Sequence, residues 1–172
     1  MILRFIAFAA TAALIPLAIP LPVTAGTIPA ATPMVSPATV GNLEISGTFA
    51  RATLPGARSG GAYITITNKG TSPDTLVSAK SPAAGSISLH SSTMEGSVMK
   101  MSALPHGIDI PPGQTVTMAP NGLHMMFEHL KTPFVQGKTV PVTLTFAKAG
   151  SVEIEIPVLG IAAAGPAHTM EM

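Results

Sequence analysis

Most of the chain alternates short runs of apolar and β-branched residues with turn-forming Gly, Pro, Asn and Asp. Almost no stretch repeats apolar residues at the helical period of about 3.6 positions. Alternation of period two, bounded by turn residues, is typical of half-buried β-strands. We therefore predict strands at residues 43–53, 62–68, 74–80, 86–90, 97–104, 114–119, 123–128, 138–147 and 151–159. Many short strands at this spacing favour an all-β fold, in the form of a β-sandwich.

The first residues of the chain lack this alternation. Residues 1–25 carry one charged side chain, Arg4, ahead of a long apolar run that ends in small residues, which is the layout of a cleaved secretory signal peptide. Pro16, Pro20 and Pro22 interrupt the run, so an uncleaved membrane helix is the weaker interpretation. We expect an exported protein with no stable membrane anchor after cleavage.

Two further segments show neither a helical nor a strand period. Residues 26–41 and 160–172 are rich in small residues and proline. We predict that the first is a flexible linker and the second a mobile tail. The folded domain should then cover residues 42–159.

Charge and cysteine content narrow the possible functions. The chain has nine Lys and Arg against eight Asp and Glu, and one basic residue lies in the leader, so the mature chain is formally neutral. No basic cluster is present, which argues against a nucleic-acid partner. Because the sequence contains no cysteine, we expect no disulfide, no cysteine-linked lipid anchor and no thiolate metal ligand.

A hairpin in the middle of the chain is predicted to gather one histidine and two methionines. With Glu95-Gly96 as its two-residue turn, His90 lies opposite Met101, and Ser92 lies opposite Met99. Directly opposed residues of an antiparallel pair have β-carbons about 5 Å apart on one face of the sheet. The hairpin alone then offers one imidazole and two thioethers.

A second pair of ligands is predicted in the run GLHMMFEHL, residues 122–130. Because side chains alternate along a strand, His124 and Met126 face one way and Met125 and Phe127 the other. We expect Met125 and Phe127 to pack in the core, which leaves the His-x-Met pair available for a metal.

Convergence of this strand and the hairpin would place His90, Met101, His124 and Met126 in one site with two imidazoles and two thioethers. Thioethers are soft and uncharged, so the set favours Cu(I) over zinc, magnesium or calcium. Without cysteine, the chain can hold copper but lacks the thiolate of a blue-copper electron carrier.

Packing is a competing explanation for these residues. Methionine commonly fills gaps in cores, and a histidine in a strand is often a hydrogen-bonded structural residue. Met94 and Met99 lie beside the predicted ligands, where they either shield the site from water, which is the interpretation we favour, or act as auxiliary ligands. His106 and His129 do not fit the pattern and are expected at the surface.

The segments that carry these residues also carry a family resemblance. Residues 89–131 contain a His, ten residues, a Met, twenty-two residues and then His-x-Met, which resembles the signature of the PCu(A)C-type periplasmic copper chaperones. Residues 50–70, ARATLPGARSGGAYITITNKG, look like that family's N-terminal strands. The resemblance covers residues 43–158.

The resemblance implies a cupredoxin-like Greek-key β-sandwich that binds Cu(I) through His90, Met101, His124 and Met126. It further implies a metallochaperone of the periplasm, rather than an enzyme, that hands copper to an acceptor protein in the assembly of respiratory cytochrome oxidase. We expect this chaperone to be a monomer.

The chain ends in AHTMEM, where His168, Met170 and Met172 alternate. Some members of the family carry similar His- and Met-rich tails that are associated with a further copper ion. The resemblance thus makes these residues a candidate second copper site, for Cu(II). A tail without any binding role is the alternative.

Two other classes of function stay open on sequence alone. A copper enzyme would need an open coordination position and a substrate pocket, and the sequence offers no paired carboxylates and few aromatic residues to build one. A secreted structural β-sandwich would use its Met and His residues for packing and at the surface, and it would have no copper affinity above background.

Overall fold

The computed structural model describes residues 37–166. Eleven strands and no helix are found in this part of the chain, so it holds no apolar helix that could cross a membrane. The strands are β1 (Ala38–Val40), β2 (Leu43–Arg51), β3 (Ser59–Asn68), β4 (Asp74–Lys80), β5 (Ser86–Glu95), β6 (Val98–Ala103), β7 (Ile108–Ile110), β8 (Thr115–Thr117), β9 (Leu123–Glu128), β10 (Thr139–Phe146) and β11 (Gly150–Leu159).

Several predictions fall outside the described residues. These are the leader at residues 1–25, residues 26–36 of the linker, and the tail residues His168, Met170 and Met172.

Hydrogen bonds join the strands in the order β6-β5-β9-β3-β2-β11-β10-β4-β7, with β1 added to β2 and β8 added to β3. Strand β11 connects two halves of this order. Most of it pairs antiparallel with β10, and its last residues, Val158 and Leu159, pair parallel with β2. Apolar side chains from both halves belong to one buried cluster, so the strands close into a β-sandwich, as predicted.

The core follows the predicted alternation of side chains. Along β10 every second residue is buried, at Val140, Val142, Leu144 and Phe146. Burying a side chain of this size contributes about 1.5–3 kcal/mol relative to leaving it in water. The period-two pattern of the sequence therefore identifies the buried face of β10.

About half of the strand ends differ from the prediction by one to three residues, and the largest difference is in β5. β5 continues to Glu95 instead of ending at His90, and β3 begins at Ser59. The short strand β7 is absent from the prediction, because three residues cannot display a period.

The last part of the predicted linker is a strand rather than flexible chain. Thr39 and Val40 are β-branched, and Val40 pairs with Leu43 across the turn at Gly41. Gly41 has a φ of 56°, a conformation that glycine adopts without the steric cost of a β-carbon. This turn folds β1 back onto β2.

The first residues of the predicted mobile tail are also fixed. Nε of Arg51 donates a hydrogen bond of 2.7 Å to the carbonyl oxygen of Ala163. The Ala163 N–H in turn donates to the Gly160 carbonyl at 3.0 Å, and Ala163 packs against the core. The described part of the tail, residues 160–166, is therefore attached to β2.

A buried carboxylate organises the turns around β4, in a region we call the Asp74 junction (Asn68, Asp74, Thr75, Lys148 and Ala149). Asp74 accepts hydrogen bonds from the N–H groups of Thr75, Lys148 and Ala149 at 2.8–2.9 Å. Asn68 donates to two backbone carbonyl groups. Burial raises the pKa of Asp74, but the three N–H donors and the Lys148 charge outweigh burial and hold the pKa below its usual value.

Candidate metal centre

The β5–β6 hairpin has a register different from the predicted one. Glu95 pairs with Val98, so Gly96 and Ser97 are the central residues of the turn, whereas the sequence predicted Glu95 and Gly96. Gly96 has a φ of 64°. A glycine with positive φ at the first central position is what a type II′ turn requires, and the prediction had placed glycine at the second.

The corrected register moves the opposed pairs but keeps the predicted contact. His90 lies opposite Ala103, and Met101 lies opposite Ser92, so His90 and Met101 are diagonal neighbours. A shift of two residues leaves every side chain on its original face. Nδ1 of His90 and Sδ of Met101 are 3.2 Å apart.

Strand β9 lies next to β5, which brings the second predicted ligand pair to the hairpin. His124 is the direct partner of His90 in this antiparallel pairing. Their ring centroids are 5.6 Å apart and the ring planes meet at 86°. The structure therefore places three of the four predicted ligands, His90, Met101 and His124, in one continuous group.

The backbone fixes the orientation of His124. Its Nδ1 lies 3.0 Å from the carbonyl oxygen of Gly122, and a carbonyl oxygen can only accept, so Nδ1 carries the proton and Nε2 carries the lone pair. His124 is only 6% exposed. Among residues 37–166 no hydrogen bond of Nε2 is found, so no donor of this part of the chain competes for its lone pair.

The orienting carbonyl belongs to a tight turn that the sequence only partly indicates. Ala119 to Gly122 close a turn in which the Gly122 N–H donates to the Ala119 carbonyl at 3.0 Å, with Asn121 at a φ of 70°. Proline followed by a residue with positive φ is the pattern of a type II turn. The Gly122 carbonyl also accepts the N–H of Ser92 at 3.0 Å. The group that accepts both hydrogen bonds is a backbone carbonyl, so no side chain in the sequence identifies it.

Met126 lies on the same face as His124, one pair further along the sheet. It is opposite Ser88 of β5 and Gly61 of β3. Its side chain is partly buried and lines an open, mainly apolar groove of about 340 Å³, together with Arg51 and Ile161 among others. The register thus places Met126 next to His124 and His90, on the side away from Met101, and its side chain borders this groove.

The side chains on the opposite face of β9 pack in the core, as predicted. Met125 and Phe127 are both fully buried in the core. The two adjacent methionines of the sequence therefore point in opposite directions, as the strand period predicts.

The remaining histidines and methionines near the site are exposed. His106 lies in a turn and His129 follows β9 with a φ of 54°, so both are surface residues, as expected. Among residues 37–166 no three His, Cys, Asp or Glu side chains gather into a metal-binding group. The side-chain donor that the structure places beside these two histidines is the thioether of Met101.

Comparison with known proteins identifies the family and the fold of the chain. Residues 43–158 match the model of the LpqE-like family, described as "Putative lipoprotein LpqE-like". A curated relative, "Putative lipoprotein Lxx21020" of Leifsonia xyli subsp. xyli, is 33% identical over 97 residues, which are 56% of this chain and 58% of that protein. The chain thus matches little more than half of the length of this relative.

Solved structures share the fold. The copper-bound PCuAC domain from PmoF2 is 29% identical with a TM-score of 0.62, over 73% of this chain and 98% of that one. The CuI-DR1885 structure from Deinococcus radiodurans is 33% identical with a TM-score of 0.54, over 79% of this chain and 89% of that one. These matches confirm both the cupredoxin-like sandwich and the resemblance to PCu(A)C proteins that the sequence motif predicts. Since the family model covers most of its residues, the chain belongs to the LpqE-like family.

Proposed function

We propose that this protein is an exported Cu(I) metallochaperone that carries copper to an acceptor protein of respiratory oxidase assembly and performs no catalysis. The observation that carries the proposal is the 3.2 Å approach of His90 Nδ1 to Met101 Sδ. Nitrogen and sulfur atoms bound to one tetrahedral ion, with bond lengths like those of zinc, lie about 3.5 Å apart. The two donors therefore need little movement to share one copper ion.

The chemistry of the donors supports copper in its reduced state. Neutral imidazoles and thioethers add no charge to the site, and soft sulfur ligands favour Cu(I) over harder divalent ions. His124 contributes its Nε2 lone pair, and Met126 supplies the second thioether from the next position on the same face. The nearby carboxylate of Glu128 is engaged by the hydroxyls of Ser86 and Ser88.

The ligands differ in solvent exposure, and this difference suits transfer of copper to an acceptor protein. Met101 is 49% exposed, whereas His124 is 6% exposed. A ligand of an acceptor can thus replace Met101 at copper while His124 still holds the ion. Exchange of one ligand at a time lets a tightly bound ion leave without being released to water.

Export and the acceptor are proposed from other observations. The leader at residues 1–25 indicates export, and the family description speaks of lipoproteins, which are exported proteins. The names of two similar structures mention copper. Delivery to respiratory oxidase assembly, in a periplasm, rests on the PCu(A)C resemblance. A second, Cu(II) site at His168, Met170 and Met172 stays a prediction from the sequence.

Competition titration with a chromogenic Cu(I) chelator, under anaerobic reducing conditions, tests the proposal. We expect one tight equivalent in the purified protein. The double substitution His124→Ala with Met126→Leu should raise the dissociation constant at least about 100-fold, since loss of even a supporting partner of a metal ligand costs 10–100-fold.

His106→Ala is the matched control, because this exposed histidine lies outside the centre. Its copper affinity should equal that of the unsubstituted protein. Thermal unfolding of each variant checks that a loss of binding is not a loss of fold. Unchanged affinity in the double variant would remove the proposal, and no copper binding by the unsubstituted protein would favour a purely structural sandwich.

A further inference from the structure

The tip of the β5–β6 hairpin extends beyond the neighbouring strand. β9 pairs with β5 as far as Ser91, whereas β5 continues to Glu95 and pairs there with β6. Met94 and Met99 are directly opposite each other in this extension. Their exposed fractions are 58% and 49%, so neither is a core side chain.

Three methionines of the hairpin share one face. Met101 is two residues from Met99, and His90 is four residues from Met94, so all four side chains point the same way. Opposed β-carbons lie about 4.5–5.5 Å apart and diagonal neighbours about 7–8 Å. The three rotatable bonds of methionine allow sulfurs at these spacings to meet on one ion.

The charged residues of the hairpin tip occupy the other face. Glu95, Val98 and Lys100 alternate with the methionines, and Nζ of Lys100 lies 3.2 Å from the carboxylate of Glu95. The face that carries the thioethers is therefore left without a charged group of the hairpin tip. A neutral, soft ligand set is again one that favours a soft monovalent ion.

In the observed register Met99 lies opposite Met94 instead of Ser92, which argues against the shielding role expected from the sequence. Met94 lies four residues from His90, which is about 13 Å along an extended strand. It pairs with Met99 at the solvent-exposed tip instead of covering the imidazole. These two thioethers thus have neither a core nor the metal centre to pack against.

We infer that Met94, Met99 and Met101 form a second, weaker site for Cu(I), where the ion first lands before it moves to the His90 and His124 centre. The inference rests on the proposed function, because Met101 belongs to both sites. Met101 can turn from the Met94 and Met99 pair towards His90, whose Nδ1 it already approaches at 3.2 Å. The ion then advances by one pair of residues, about 7 Å.

Titration with Ag(I), a soft monovalent ion without redox chemistry, tests the site by NMR of methionine methyl groups in the purified protein. The first equivalent should shift the methyl signals of Met101 and Met126. The second should shift those of Met94 and Met99, the two thioethers that remain once Met101 holds the first ion. The buried Met118 and Met125 serve as internal references that should not move.

Leucine replaces methionine with a similar volume and no sulfur. In Met94→Leu with Met99→Leu, the second equivalent should no longer bind. The affinity for the first should change by less than about threefold, because the substituted residues are not ligands of that centre. Loading of the tight centre from a Cu(I)-chelator complex, followed by stopped flow, should be slower. Val98→Ala, on the opposite face of the tip, is the control and should load at the normal rate.

The measurements distinguish failure of the inference from failure of the proposed function. Loading and methyl shifts that are the same in the double leucine variant as in the unsubstituted protein overturn the inference. A second equivalent that shifts Met170 and Met172 instead assigns the weak site to the tail and also overturns it. Shifts at Met94 and Met99 without any tight equivalent would show that the thioether site exists while the proposed chaperone function fails.

Discussion

The Asp74 junction and the candidate metal centre each hold a polar side chain in a nearly buried position, but the two side chains differ in how many hydrogen bonds they make. Asp74 accepts three backbone N–H groups. Within the described residues, the side chain of His124 makes one hydrogen bond, to the Gly122 carbonyl, and its Nε2 makes none. A buried polar group that is fully bonded stabilises the fold, whereas a positioned group with a spare lone pair is available to a ligand.

The comparison suggests how to separate structural from functional polar residues in this molecule. Substitutions at the Asp74 junction should change the free energy of unfolding and leave copper affinity alone. Substitutions of exposed groups at the candidate metal centre should lower copper affinity and leave the free energy of unfolding unchanged.

The largest expected effect on stability is that of Asp74→Asn. The amide keeps one acceptor oxygen but turns an NH₂ group towards a backbone N–H, so the free energy of unfolding should fall by about 1–3 kcal/mol. Urea unfolding measures the change. Asp109→Asn is the control, because among the described residues this exposed carboxylate accepts a single hydrogen bond, from the Thr75 hydroxyl. A matching loss of copper affinity in Asp74→Asn would break the comparison.

Acid should remove the same contribution gradually. The pKa of Asp74 is lowered in the folded state, so its contribution is complete above the unfolded-state pKa of about 3.9 and disappears as the pH falls through the folded-state pKa. Urea midpoints measured between neutral pH and acid should converge for the unsubstituted protein and Asp74→Asn. A difference between them that persists at the lowest pH would contradict this assignment.

The smallest effect on stability is expected for Met101→Leu. Met101 is half exposed, so the free energy of unfolding should change by no more than about 0.5 kcal/mol. Its Cu(I) dissociation constant should nevertheless rise about tenfold or more, as for loss of a partner at a metal site. Chelator competition and urea unfolding on the same sample measure both. A stability loss without an affinity loss would make Met101 a packing residue.

The sequence predicts the faces of the strands better than their pairing. The hairpin register is wrong by two residues because Gly96 suits either central position of a two-residue turn, and only the backbone shows that it takes the first. A shift by two residues leaves each side chain on the same face of the sheet. The predicted approach of His90 to Met101 is therefore confirmed, although the predicted pairing of the two residues is wrong. The inward position of Met125 follows from the same period and is confirmed.

Other features cannot be predicted from a single sequence. Strands β1 and β7 have three residues each, too few for a period to show. The pairing of β9 with β5 joins segments that are more than thirty residues apart, and turn chemistry does not encode such contacts. The predicted mobile tail is held at Ala163 by a side chain of β2, a contact between two positions with no shared local pattern.

The position of the Gly122 carbonyl determines the orientation of the His124 ring. It accepts the Ser92 N–H and the His124 Nδ1–H together, so the aim of the imidazole depends on the length of the turn from Ala119 to Gly122. Insertion or deletion of one residue there would rotate the lone pair of His124 away from its partners while every ligand stayed in the sequence. Two chains with the same four ligand residues can therefore differ in metal binding through the length of the spacer before His124 alone.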